Sequence, residues 1–141
     1  VRRMAISADD AERRQHFLRG TADLLLLATI ARAPGHAYEL ATRLSDVGLG
    51  PFSYGTVYPL IARLRSAGLL SEAAHPSTRG PARKVYDLTA AGRSTLQRWS
   101  QQWQHLHQAT SSYLESSTAD PPGDRSHRDS ADATTTGSPT C

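Results

Sequence analysis

Tyr54, Thr56, Tyr58, Arg63 and Arg65 fall on one side of the stretch SYGTVYPLIARLRSAGLL (residues 53–70), whose other side is apolar. Tyrosine and threonine hydroxyls both donate and accept hydrogen bonds, and a guanidinium presents a planar fork of donors. A second polar group follows closely in STRGPARK (residues 77–84), where Arg79, Arg83 and Lys84 surround Gly80. Such a set suits hydrogen bonding to phosphate oxygens and to the edges of bases. Covalent chemistry is a poorer match. His105 and His107 are two residues apart and so lie on different faces of a helix, and there is no HExxH pair, phosphate-binding glycine loop or Ser/Cys nucleophile motif. No catalytic residue, cofactor or metal ligand is expected.

The elements that must position these groups follow from periodicity. Val57, Leu60, Ile61, Leu64 and Leu69 recur at helical spacing, Ser53 precedes them as a candidate N-cap, and Gly68 stands where a helix can end in the left-handed region. Gly55 allows close backbone approach. Pro59 leaves two alternatives. Either the helix begins near Thr56 and Pro59 falls in its first turn, or Pro59 is interior and kinks it. Beyond Leu70, a polar loop leads to Arg83–Leu88, whose Val85, Tyr86 and Leu88 suit a strand, so the basic loop becomes the tip of a small β-hairpin wing.

Upstream, residues 8–18 form a short amphipathic helix that Gly20 is expected to break. A second helix then runs to about Ala31, with Leu24, Leu25, Leu27, Ala28 and Ile30 in the core, and a third spans 37–46 with Tyr38, Leu40, Ala41 and Leu44 inward. Downstream, a long helix is expected over 90–115. Its Leu96, Trp99, Trp103, Leu106, Thr110 and Tyr113 are spaced 3, 4, 3, 4, 3, a heptad seam that calls for the same helix of a second copy. Residues 116–141 contain no Ile, Leu, Val, Met or aromatic side chain and read as a disordered tail. The partition is an arm and helix (1–19), a DNA-binding domain (20–89), a dimerisation helix (90–115) and the tail.

With 141 residues the chain has room for one small domain plus appendages. Residues 1–115 carry fourteen basic and nine acidic side chains, whereas 116–141 carry two and four, so the part that folds is the basic part. Arginine outnumbers lysine fifteen to one. The single Cys141 excludes an internal disulfide and a thiolate metal cage, and the apolar run 24–30 is too short to span a bilayer. A cytoplasmic protein without membrane association is expected.

The order helix, turn, helix, basic loop between strands, long helix resembles the PadR family of winged helix-turn-helix regulators, in its short form with one C-terminal dimerisation helix. The resemblance covers roughly residues 18–115. It is carried by LLLLATI (24–30), HAYEL (36–40), GTVYP (55–59), Arg63-Leu64, Gly68-Leu69-Leu70, Gly80, RKVY (83–86), Leu88-Thr89 and Gly92. It implies a mainly α fold with a hairpin wing and a repressor that binds an inverted-repeat operator as a homodimer. The expected DNA contacts are Tyr54, Gly55, Thr56, Tyr58, Pro59, Arg63, Arg79, Gly80, Arg83 and Lys84. Trp103 aligns with the position where some short PadR-like repressors present a Trp to flat aromatic compounds, which makes Trp103, with Trp99 secondary, a candidate effector contact; a Trp at a seam position can equally be interface core. Two rival readings are a winged helix used for protein interaction and a metal-sensing ArsR-like regulator. The basic wing argues against the first, and the scattered histidines with one terminal cysteine argue against the second.

Overall fold

The computed structural model describes residues 7–119; the arm before Ser7 and the expected tail from residue 120 lie outside the described residues. The order is α1 (Ala8–Arg32), β1 (Gly35–His36), α2 (Ala37–Ser45), α3 (Tyr54–Ser66), β2 (Leu70–His75), β3 (Arg83–Leu88) and α4 (Ala90–Ala119). The strands form one antiparallel sheet in the order β1-β3-β2, with Gly35 opposite Tyr86 and Glu72 opposite the same tyrosine from the other side. The chain divides into two compact units, Val1–Trp103 and Gln104–Cys141. The architecture is mainly α with a hairpin wing, as the sequence suggests.

Helix α1 corrects the expectation of a break at Gly20. Ser7 caps it by accepting the Asp10 N–H at 3.1 Å, Asp9 and Asp10 occupy its first turn, and Arg32 lies in its last. Gly20 sits in the interior with open space around it. A glycine there costs about 1 kcal/mol relative to alanine. Tertiary contacts on both sides outweigh that cost. Ala22, Leu26, Leu27 and Ile30 are buried, Leu18 packs against the core, and Arg14 Nη2 donates to the Gly48 carbonyl at 2.9 Å. The helical phase also differs from the expected one. Leu26 is fully buried, whereas Leu24, Leu25 and Ala28 are only half-buried.

Seven side chains have essentially no exposure: Leu26, Leu27, Ile30, Leu40, Leu44, Val57 and Ile61. They come from α1, α2 and α3, and burying each contributes about 1.5–3 kcal/mol. Phe52 reaches this core from the loop before α3, its N–H donating to Ser45 Oγ at 2.9 Å. On α2, Leu40, Ala41 and Leu44 point inward as expected, but Tyr38 does not and is 68% exposed. At about 100° per residue, Tyr38 lies more than a quarter-turn from the centre of that buried arc.

Helix α3 ends where Gly68 adopts φ of 77°. The Gly68 N–H donates to the Arg65 carbonyl at 2.9 Å and the Leu69 N–H to the Leu64 carbonyl at 3.0 Å, which closes the last turn as a Schellman motif. The same two residues start α4. Thr89 donates its N–H to the Leu69 carbonyl at 3.1 Å and its hydroxyl to the Gly68 carbonyl at 2.7 Å, while that hydroxyl accepts the Gly92 N–H at 3.0 Å. Gly92 packs so closely that a Cβ would overlap the Leu69 carbonyl oxygen. Helix α4 continues four residues beyond the expected end at Glu115, and hydroxyls of Ser116, Ser117 and Thr118 donate back to carbonyls of the preceding turn.

The two glycines of contrasting environment give opposite expectations for alanine. Gly20→Ala, with room for a methyl group, raises stability by roughly 0.5–1 kcal/mol. Gly92→Ala drives a methyl into backbone and lowers it by about 1–3 kcal/mol. Urea denaturation followed by circular dichroism checks both signs.

Candidate nucleic-acid interface

Helix α3 begins at Ser53, whose Oγ accepts the Thr56 N–H at 3.2 Å and lies 3.0 Å from the Thr56 hydroxyl. The helix therefore starts ahead of Thr56, and of the two alternatives for Pro59 the interior one holds. Lacking an N–H, Pro59 leaves the Gly55 carbonyl without its usual intrahelical donor. The helix runs on through it to Ser66.

Buried Val57, Ile61 and Leu64 define the inner arc of α3. At about 100° per residue, Gly55, Pro59, Ala62 and Ser66 lie opposite that arc, and all four are exposed. The outward strip of the helix thus carries only small or compact side chains. Tyr54, Tyr58 and Arg65 occupy the flank toward the sheet, while Thr56 and Arg63 occupy the flank toward α1.

On the sheet side, the rings of Tyr54 and Tyr58 stack with centroids 5.6 Å apart and an interplanar angle of 27°. They open onto a cleft of about 440 Å³ shared with Tyr38 at the start of α2 and with Arg83, Lys84 and Tyr86 of β3. Tyr86 is buried at its base, and that burial raises its phenol above the ordinary tyrosine range. Arg83 Nη1 lies 3.1 Å from Nε2 of His36, whose Nδ1 accepts the Glu39 N–H and so caps α2. On the α1 side, Thr56, Pro59 and Arg63 line a separate groove of about 680 Å³ with Leu18, Arg19 and Ala22. Arg63 Nη2 pairs there with Asp23 Oδ2 at 3.4 Å.

Arg65 is engaged differently. It donates to Glu72 of β2, and Lys84 Nζ approaches the other oxygen of the same carboxylate at 3.2 Å. The hydrogen bond from Arg65, aided by Lys84, holds the Glu72 carboxyl below its ordinary range and raises the Arg65 guanidinium in turn. Arg79 and Gly80 belong to the turn between β2 and β3, where Gly80 takes φ of 115° and Arg79 forms no ion pair among the described residues.

The structure thus brings Tyr54, Tyr58, Arg83 and Lys84 together, sets Thr56 and Arg63 on the opposite flank with Gly55 and Pro59 in the outward strip, and leaves Arg79 and Gly80 at the wing tip. Tyr38 and Tyr86 join the cleft without having been singled out for it. Tyr86 could have been found from strand alternation, being two residues from both Lys84 and Leu88. Tyr38 carried no such signal, because a tyrosine suits either face of a short helix.

Helix α4 places its seam residues in two environments. Leu96 and Trp99 pack partly buried against the core, whereas Leu106 is 59% and Tyr113 74% exposed, with Trp103 and Thr110 also exposed. Leu114, absent from the expected seam, is exposed too. Among the described residues no group of three or more His, Cys, Asp or Glu is arranged to hold a metal ion, and no helix is long and apolar enough to cross a membrane.

Comparison with known proteins agrees with this architecture. The model of the transcriptional regulator PadR-like family matches residues 26–98. A PadR family transcriptional regulator from Eggerthella lenta is 33% identical, with 79% of this chain and 98% of that one covered at a TM-score of 0.70. A PadR-like transcriptional regulator from Bacillus cereus is 29% identical, with 70% and 96% covered at 0.64. A Streptococcus transcriptional regulator is 28% identical, with 70% and 96% covered at 0.63. A search of curated proteins finds no match. With its helix-turn-helix, basic wing and family match over more than half its length, the chain belongs to the PadR-like family of transcriptional regulators.

Proposed function

We propose that the protein is a homodimeric repressor that binds an inverted-repeat operator and leaves it when a small aromatic molecule binds near the dimer interface. The observation that carries the DNA part is the outward strip of α3 flanked by the Tyr54–Tyr58 stack and the wing cations. Small side chains at Gly55, Pro59, Ala62 and Ser66 let the helix backbone approach the floor of a major groove. The hydroxyls of Tyr54, Thr56 and Tyr58 then stand on both sides of the strip within reach of base edges. Arg63, Arg79, Arg83 and Lys84 supply the phosphate contacts, with Arg79 and Gly80 at the wing tip beside the minor groove.

Two recognition helices separated by about one DNA turn, roughly 34 Å, require a two-fold axis. Leu96, Trp99, Trp103, Leu106, Thr110 and Tyr113 supply the interface. The exposure of Leu106 and Tyr113 supports that role, since an isolated helix gains nothing from a row of exposed apolar side chains. In the dimer Trp103, with Trp99 beside it in the heptad, offers an indole face to a planar ligand. Binding there biases the separation of the two reading heads, so the promoter is occluded without ligand and released with it. A protein that performs this task works in the cytoplasm.

Affinity for any duplex should fall steeply as salt rises. Arg79→Ala should weaken binding to all sequences alike and reduce the salt slope by about one, whereas Tyr58→Phe or Thr56→Val should change which sequences are preferred, by about 1–3 kcal/mol per contact. Fluorescence anisotropy against a panel of duplexes separates the two patterns, and their exchange would reverse the assignment. Leu106→Glu should shift the protein from dimer to monomer in sedimentation equilibrium. Quenching of Trp fluorescence by planar aromatic compounds should disappear in Trp103→Ala; quenching that persists would remove Trp103 as the effector contact.

A further inference from the structure

Glu72 is an acidic side chain on a surface that has to meet phosphates, and its placement gives it a task. In the register of the hairpin Glu72 stands opposite Tyr86 and Ala74 opposite Lys84. Alternation then puts Glu72, Ala74, Lys84 and Tyr86 on one face of the sheet, and Lys84 reaches Glu72 along the diagonal. Tyr86 and Lys84 line the same cleft as Tyr54 and Tyr58, so this is the face turned toward α3. Across the gap, Arg65 from the last turn of α3 closes on the other carboxylate oxygen.

Apolar packing holds β3 at this level through Tyr86 and Leu88, but it stops short on β2. Along β2 only Leu70 is buried, and Ser71 to His75 are exposed on an edge strand. The Glu72 side chain is nevertheless only 23% exposed, because it turns inward between its two cations. The Glu72 carboxylate, bridging α3, β2 and β3, therefore adds to the buried Tyr86 a polar contact that ties β2 beyond Leu70 to α3.

We propose that Glu72 is a positioning residue for sequence recognition: through Arg65 and Lys84 it sets the angle of the wing relative to α3, so that wing and helix contact DNA in one register. The inference rests on the DNA-binding reading above and adds a residue to it that touches no DNA. Its consequence runs against simple electrostatics. Removing a negative charge from a basic surface should strengthen binding to every duplex alike. Loosening the wing instead weakens the preferred sequence selectively.

The test uses the full chain and a duplex enriched by the wild-type protein from a random-sequence pool, compared with a shuffled duplex of equal length. Glu72→Gln should lower the ratio of selected to shuffled affinity by roughly fivefold or more, with shuffled binding unchanged or tighter. Arg65→Gln, which changes the net charge in the opposite direction, should lower the same ratio comparably. The double variant should lose little beyond either single one, because all three break one contact. Thermal melting by circular dichroism within a few degrees of wild type, roughly the shift of a surface change, assigns the loss to positioning. Glu72→Gln binding both duplexes more tightly by one common factor would overturn the proposal, as would opposite changes of the ratio in Glu72→Gln and Arg65→Gln. Failure of the wild-type protein to enrich any duplex would overturn the DNA-binding reading itself.

Discussion

Two adjacent carbonyls, those of Gly68 and Leu69, are the joint on which the DNA-binding unit depends. Helix α3 ends there because Gly68 takes a positive φ, the wing starts one residue later, and Thr89 returns from the wing to donate to both oxygens. The same threonine then caps α4, whose Gly92 lies against the Leu69 carbonyl with no space for a side chain. The end of α3, both roots of the hairpin and the start of α4 are thus tied within one small volume, and the buried Leu64, Leu69, Leu70 and Leu88 anchor it to the core. A left-handed residue and a close backbone approach are the two tasks for which glycine is suited.

Outside this joint, charge takes over from packing. Three cations of the candidate interface are engaged by carboxylates within the protein: Arg63 by Asp23, and Arg65 and Lys84 by Glu72. These pairs are solvent-accessible and each adds little to stability. Their effect is on orientation, because each holds a long flexible side chain in a limited set of directions. Arg79, at the wing tip without such a partner among the described residues, is the member best placed for a purely electrostatic contribution.

Much of this was legible from local pattern. The apolar face of α3, the Ser53 cap, the Gly68 stop, the strand over Arg83–Leu88 and the long helix after Thr89 all leave marks within a few residues of themselves. The GTVYP and RKVYDLT segments together pointed to the family that the comparisons identify. The polar groups of the interface were also visible as residue types. Which of them converge was not, since Tyr54, Tyr58 and Lys84 share a cleft only because the hairpin folds back beside α3.

What the sequence by itself determined is therefore most of the elements, without β1 and with α1 read as two helices, their order and the chemical character of their exposed sides, because periodicity, caps and glycines act over one or two turns. Tertiary structure alone decided the rest. The continuity of α1 through Gly20 depends on Arg14 reaching Gly48 and on Leu18 and Leu26 packing at either side. The outward direction of Tyr38 depends on which arc of α2 meets α1 and α3. The phase of the leucine run had no periodic contrast to reveal it. The partners of Arg63 and Arg65 lie on α1 and β2, elements that their own helix cannot specify. In each case the outcome turns on neighbours distant along the chain or on packing between elements, and a local pattern contains no record of them.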